Sequence, residues 1–355
     1  MIHFSPGPSE LYFTVKDHVK DAFRNDIPSL SHRSKEFESI YKAVKDGLRE
    51  LLTIPDNFSV FFTSSATEVW ERSIQNLVEE KSHHFVNGAF SKRHYEIALL
   101  LGRQATKMEV AAGKSFGPVE IPTTTELIAL THNETSTGVS LNMGYIHSLK
   151  AKHPDSLVIV DAVSSLPYPD FDYSQLDSVY FSVQKGFGLP AGLGVWMVND
   201  RCLAKAEQLL AKGKCIGSYH TLPQLHQFGL KNQTPETPNM LGIYLLSKVI
   251  GDFLRKGIAS IRKETEYKSA ILYQALEQNP AIKPFISVKE DRSKTVIIAD
   301  CGDRMEELSS YLKKKGFEPG EGYGEFKKQH LRFANFPTHS KEQFESLTDA
   351  ISAFR

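Results

Sequence analysis

Asp177-Ser178-Val179-Tyr180-Phe181-Ser182-Val183-Gln184-Lys185-Gly186-Phe187-Gly188-Leu189-Pro190-Ala191-Gly192 is the stretch on which the reading of the fold turns. Its first half is apolar, β-branched and aromatic, the composition of a strand buried on both faces. It ends on an amide and an amine, and a glycine-rich turn follows at once. Upstream, Leu157-Val158-Ile159-Val160 is a second such run, ending in Asp161. Ligands of an open α/β sheet sit in the crevice beyond the carboxyl ends of its strands. Two strand ends of this kind aim an amine and a carboxylate into one crevice. Each has a plainer reading when taken alone. A strand-end lysine is commonly a solvated surface group, and a strand-end aspartate a turn residue or helix cap. The pair, in matching strand contexts, carries the information.

Outward from these two strands the pattern repeats. Strand-like runs occur at Ser59–Phe62, Lys81–Val86, Thr106–Val110, Leu127–Leu130, Leu157–Val160, Ser178–Val183 and Gly194–Val198. Helical periodicity separates several of them, over Phe37–Leu52, His94–Leu101 and Gly144–Lys152. Strands alternating with helices predict an α/β fold with a mostly parallel seven-stranded sheet. The last strand follows its predecessor after a short loop, which fits an antiparallel strand. After about Asn239 the character changes to long helical patterns at Leu241–Arg255 and Ile258–Gln278. Short strands at Thr295–Ala299 and Leu331–Phe333 and helices at Met305–Lys315 and Lys341–Phe354 complete a smaller α+β domain. The expected division is an N-terminal arm, 1–15, packed with the small domain, a large domain, 16–240, and a small domain, 241–355.

Lys+Arg and Asp+Glu are equal at 42 each, so the composition gives no support to a nucleic-acid partner, which needs a clustered basic surface. The cysteines, Cys202, Cys215 and Cys301, are odd in number and far apart, the wrong pattern for a disulfide framework or a zinc site. No metal is expected. No apolar stretch approaches the ~20 residues of a membrane span. The opening residues lack the regions of a signal peptide. A reducing, cytoplasmic location is the expectation.

A lysine that bonds to an aldehyde and an aspartate that pairs with a pyridinium nitrogen are what pyridoxal phosphate takes from its protein. Ser64-Ser65-Ala66-Thr67 lies between a strand and a helix, where backbone N–H groups and small residues make a phosphate site or an ordinary cap. Thr131-His132-Asn133-Glu134-Thr135-Ser136-Thr137-Gly138, after another strand, offers donors to a ring hydroxyl or is a plain polar loop. Asn87-Gly88-Ala89-Phe90 places an aromatic ring at a third strand end, against a flat cofactor or in the core. There is no Gly-x-Gly-x-x-Gly and no Walker lysine, which counts against dinucleotides and nucleoside triphosphates.

Over essentially its whole length the chain resembles the class V, fold-type I pyridoxal-phosphate enzymes, and among them the phosphoserine aminotransferases. The markers are Phe4-Ser5-Pro6-Gly7-Pro8, Ser31-His32-Arg33-Ser34-Lys35-Glu36-Phe37, Asn133-Glu134-Thr135, Asp161, Gln184-Lys185, Thr234-Pro235-Glu236-Thr237-Pro238-Asn239 and Leu331-Arg332. The resemblance implies transamination of 3-phosphoserine and 2-oxoglutarate, in either direction, by a homodimer with shared active sites. It implies that Lys185 bonds to the cofactor and moves the proton, and that Asp161 pairs with the ring nitrogen. Phe90 takes the place of an aromatic, usually Trp, that stacks on the ring, and Thr135 contacts the ring hydroxyl. Ala66, Thr67 and Gln184 hold the phosphate, with Thr237 reaching in from the partner. Arg332 binds the substrate α-carboxylate, and His32 and Arg33 of the other subunit face its distal anion.

The chain departs from that pattern in two places. An Arg usual in the loop at Ser64–Thr67 is missing, and so is a His-Arg pair usual where Gly322-Tyr323-Gly324-Glu325-Phe326-Lys327 stands. Lys327 or Lys328 would compensate only as point charges, without the bidentate fork of Arg. Three rival readings follow: an aminotransferase for small unphosphorylated amino acids, a desulfurase or lyase of the same fold, and a non-catalytic α/β binding protein. The second wants a mobile-loop Cys ahead of Arg332, and Gly316–Leu331 has none.

Overall fold

The apolar runs assemble into one seven-stranded sheet in the computed structural model, which describes residues 1–355. From the amino terminus the elements are β1 (Ile2–Phe4), α1 (Val15–Arg24), α2 (Lys35–Leu52), β2 (Phe58–Thr63), α3 (Ala66–Leu77), β3 (Lys81–Val86), α4 (Ala89–Leu100), β4 (Gln104–Glu109), β5 (Leu127–Thr131), β6 (Asn133–Glu134), β7 (Val139–Ser140), α5 (Met143–Lys152), β8 (Leu157–Asp161), β9 (Ser178–Ser182) and β10 (Gly194–Asn199). There follow α6 (Asp200–Ala211), α7 (Leu222–Gly229), α8 (Met240–Lys256), α9 (Ile258–Gln278), β11 (Lys283–Pro284), β12 (Val296–Asp300), α10 (Met305–Lys314), β13 (Phe317–Glu321), β14 (His330–Ala334) and α11 (Lys341–Ala353).

The large sheet has the order β2-β10-β9-β8-β5-β3-β4, and only β10 runs antiparallel to its neighbours. The short loop from β9 to β10 cannot carry a parallel crossover, so the strand must turn back. β5, β8 and β9 are buried along their whole length, as a sheet covered on both faces requires. Register pairs Asp161 with Thr131 on one side and Tyr180 on the other. The carboxyl ends of β5, β8 and β9 are therefore neighbours, and Thr135, Asp161, Gln184 and Lys185 all lie at or just after them.

A second sheet, ordered β1-β13-β14-β12-β11, holds the carboxy-terminal strands and takes Ile2–Phe4 of the amino terminus as a parallel edge strand. Leu272, Leu276, Phe344, Leu347 and Ile351 of α9 and α11 pack in one cluster with Ile297, Leu331 and Phe333. α8 packs on α2. Its Ile243, Leu246, Val249 and Ile250 join Val44, Leu48 and Leu51 of α2 in the large core. Three segments meet at Gly188, three residues past Lys185. Its φ is +60°, and a Cβ there would lie 2.2 Å from Thr338 Cγ2 and 2.7 Å from the Tyr12 nitrogen. Only glycine lets the turn after Lys185, the N-terminal arm and the segment after β14 touch at one point. No helix is long and apolar enough to cross a membrane.

Candidate active site

Lys185 and Asp161 line one small cleft together with Ala66, Thr67, Phe90, Thr135 and Gln184. Asp161 is buried at the end of β8. One carboxylate oxygen accepts from the Trp70 indole at 2.9 Å and the other from the Val163 backbone N–H at 2.9 Å. Burial pushes its pKa up to about 6, against those hydrogen bonds and the Lys185 charge. Lys185 is buried as well, and burial pushes its amine down to about 8. Asp161 opposes that shift, and the Arg332 charge adds to it. An amine in this range keeps a useful neutral fraction at neutral pH, and the neutral form is the one that attacks an aldehyde. Lys185 Nζ donates to Thr135 Oγ1 at 3.2 Å and lies 5.3 Å from the Phe90 ring centroid.

The cleft floor is the start of α3. Ser65 caps it, accepting from the Glu68 N–H at 3.2 Å, and the Ala66 N–H donates to Ser182 Oγ at 2.8 Å. The positive end of a twelve-residue helix thus faces the cleft. Gln184 Oε1 at the same end is shielded from solvent without a hydrogen-bond partner.

The opposite wall depends on a buried carboxylate. Glu134 accepts from the N–H groups of Ser91 (2.9 Å) and Ser136 (3.1 Å), from the Ser91 hydroxyl (2.9 Å) and the Ser136 hydroxyl (2.6 Å), and from the Phe90 N–H at 3.4 Å. It thereby caps α4, whose start at Ala89 lies well before the His94 expected from periodicity. The cap comes from another strand end, so no local pattern announces it. A Cβ at Gly88 would lie 2.4 Å from Glu134 Cγ, which explains the glycine. Thr135 Oγ1 donates to Ser164 Oγ at 2.8 Å, and Asn133 donates to the same hydroxyl at 2.7 Å.

Arg332 enters from β14 of the small sheet. Its Nε donates to the Glu321 carbonyl at 2.6 Å and its Nη1 to the Thr135 carbonyl at 3.4 Å, with its guanidinium over the Tyr323 ring at 5.6 Å. His32, Arg33 and Thr237 do not line the cleft. They gather on a separate patch. His32 Nδ1 lies 3.3 Å from Thr237 Oγ1, and Arg33 donates to the carbonyls of Thr234 (2.6 Å) and Pro235 (3.3 Å) and stacks on Phe228 at 4.6 Å.

Four residues around the cleft escaped the sequence reading: Trp70, Ser182, Ser164 and Glu134. Two had a signal. Trp70 is one helical turn from Ala66, and Ser182 shares a strand face with Gln184. Glu134 stood only as part of the Asn133-Glu134-Thr135 marker, with no sign of its capping role, and Ser164 had no signal.

The sequence profile of the class-V aminotransferases matches residues 3–318. The chain belongs to the class-V aminotransferase family. It is a pyridoxal-phosphate-dependent aminotransferase, and its cleft fits that cofactor on two counts: a helix N-terminus for the phosphate, and a buried carboxylate in the same cleft as a buried lysine. Among solved structures it is similar to a phosphoserine aminotransferase from Cytophaga hutchinsonii, with 50% identity and a TM-score of 0.97 over 99% of this chain and 98% of that one. It is also similar to a phosphoserine aminotransferase from Nocardioides sp., 27% identical over 98% of this chain and 94% of the relative. A pyridoxamine-pyruvate aminotransferase from Mesorhizobium loti shares the fold at 17% identity, with a TM-score of 0.85 over 99% of this chain and 91% of that one.

Proposed function

We propose that this aminotransferase exchanges the amino group of 3-phosphoserine with 2-oxoglutarate, in the direction that supply dictates, as a cytoplasmic homodimer with shared active sites. The observation that carries this reading is the likeness to a phosphoserine aminotransferase across nearly the full length of both chains. Geometry supports it. Arg332 bonds to the Thr135 carbonyl beside the cleft, within reach of an α-carboxylate, while His32, Arg33 and Thr237 do not line it, which suits residues serving a partner. We divide the chain into an arm at 1–15, a large unit at 16–240 and a small unit at 241–355. The pairing of β1 with β13 ties the arm to the small unit, and α8 bridges the two units through its packing on α2.

When bound, pyridoxal phosphate supplies an electron sink that acidifies the α-carbon of the amino acid attached to it. Lys185 holds the cofactor in the resting enzyme. Its neutral amine, burial having lowered its pKa to about 8, would serve as the base that moves the proton at the substrate α-carbon. Asp161 holds a proton on the ring nitrogen, and Trp70 and the Val163 N–H keep both carboxylate oxygens in place for that. Phe90 and Thr135 line the same cleft, where they would stack on the ring and contact its hydroxyl. Ala66, Thr67 and Gln184 cradle the phosphate, completed by Thr237 of the other subunit. Arg332 grips the α-carboxylate bidentately.

A second reading, small unphosphorylated amino acids, is favoured by one observation. Ser64–Thr67 brings no cation, and Lys327 is exposed, with its amine 3.6 Å from Glu321. Single-turnover rates for phosphoserine, glutamate, serine and alanine against the pyridoxal form separate the two. The proposal expects phosphoserine to lead alanine by about a hundredfold, the worth of roughly two charged hydrogen bonds. A preference for alanine overturns it.

A further inference from the structure

His220 lies outside the cleft, in the turn between α6 and α7. Its ring is buried, 2% exposed, with Tyr219 stacked on it at 3.9 Å. Nδ1 is hydrogen-bonded to Glu68 Oε1 at 2.7 Å, and Nε2 is 3.0 Å from Glu236 Oε2, an ion-pair distance without hydrogen-bond alignment. The other oxygen of Glu68 accepts the Ser64 N–H at 2.8 Å and the Ser64 hydroxyl at 2.7 Å, so Glu68 fixes the loop entering the phosphate cradle. Glu236 is the neighbour of Thr237, in the loop whose carbonyls hold Arg33. The backbone at His220 has φ +50°, a left-handed conformation that a non-glycine residue keeps only when its surroundings impose it. Arg72 stands 3.5 Å from Glu68, and the Tyr41 and Tyr219 hydroxyls feel the Glu236 charge.

We propose that His220 is a positioning residue that ties the phosphate cradle of its own subunit to the Thr234–Asn239 loop, which completes the cradle of the partner. This rests on the shared-site reading above. The ring touches neither cofactor nor substrate. It acts by holding two carboxylates, one from each loop, at a fixed separation. Without it, Glu68 keeps Arg72 but Glu236 loses its ion-pair partner, nothing joins the two carboxylates, and both loops relax. Burial disfavours the charged ring, but the two carboxylates outweigh that and raise its pKa to about 9. A pKa raised above the ordinary value near 6.5 means that the charged tie is present through neutral pH and is lost as pH rises through about 9.

The test is the dissociation constant of pyridoxal phosphate, followed by its visible absorbance in wild-type protein and in His220→Gln, from pH 7 to pH 10. The expected result is about a tenfold weaker Kd in the variant at pH 7, near the effect of one charged hydrogen bond. The two proteins should converge at pH 10, with kcat at saturating cofactor unchanged. Glu236→Gln breaks one arm only, leaves the ring seated on Glu68, and should weaken binding in the same direction even if His220→Gln folds poorly. An unchanged Kd at pH 7 in these variants, or a ratio to wild type that does not vary with pH, overturns the proposal. Thr237→Val keeps the two ideas apart. An unchanged Kd in that variant alone removes the shared-site reading, whereas an unchanged Kd in His220→Gln removes the tie.

Discussion

The cofactor cleft and the His32–Arg33–Thr237 patch are built on opposite terms. In the cleft, Asp161 has both oxygens engaged and Lys185 is buried beside Thr135 and Phe90, all from one chain. On the patch, Arg33 and Thr237 are exposed, and the guanidinium is held by carbonyls of the Thr234–Asn239 loop rather than by an anion. A buried lysine and carboxylate need their partners in place before the protein can fold around them. An exposed arginine bears no such constraint and can wait for a ligand or a second subunit. The difference teaches that one chain seats Lys185 and Asp161 completely, while under the proposed shared-site reading the last phosphate contact and the substrate's far end are left to surfaces that assembly would bring together.

Four substitutions press on that contrast, and the largest effects fall in the cleft. Lys185→Ala should abolish turnover, by on the order of 10⁴-fold, since one group serves as both tether and proton carrier. The variant should still bind the cofactor without a covalent link. Borohydride reduction and peptide mapping of the wild type should place the label on Lys185, and a label on another lysine breaks the cleft assignment. Asp161→Ala should slow the half-reaction by about a hundredfold or more, because a buried charge pair loses one member at roughly 3–5 kcal/mol. Near-wild-type rates would show that another group holds the ring proton.

On the patch the effect should be selective. Arg33→Ala should lower kcat/KM for phosphoserine by about 1.5–3 kcal/mol and leave alanine untouched. An equal loss for both would erase the contrast between the two regions. Trp70→Phe is the mildest, at about tenfold in the half-reaction, and is best read from its pH profile. Removing the indole N–H strips the Asp161 carboxylate of a stabilising hydrogen bond. Its pKa, already raised to about 6 by burial, moves higher, and the acid limb of kcat/KM moves with it to higher pH. An acid limb that stays put would show that Trp70 merely packs.

The same contrast explains what could be read from the sequence. The seven strands, the reversal of β10 and the meeting of Lys185 with Asp161 all follow from short-range pattern, because strand ends in a parallel sheet share one edge. Trp70 and Ser182 were within reach of helix and strand periodicity. Glu134 was not. Its role is to cap α4 from the far side of a different strand, a contact between segments about forty residues apart with no periodic signature. The start of α4 at Ala89 was missed for the same reason. The placement of α8 against α2 likewise depends on tertiary packing, with Ile250 filling the space above Gly47. His220 is a lone histidine in a turn, and only folding brings Glu68 and Glu236 to its two nitrogens.

Complementation between subunits tests the central claim most directly. Lys185→Ala and Arg33→Ala proteins, each nearly inactive on phosphoserine, are mixed and allowed to exchange subunits, with exchange confirmed by differential tagging. If the sites are shared, each mixed dimer carries one site with both residues intact. Random pairing should then restore roughly a quarter of wild-type activity, well above the residual rate of either parent. No recovery after confirmed exchange would place Arg33 and Lys185 in the same subunit's site, or outside one site altogether, and would contradict the account.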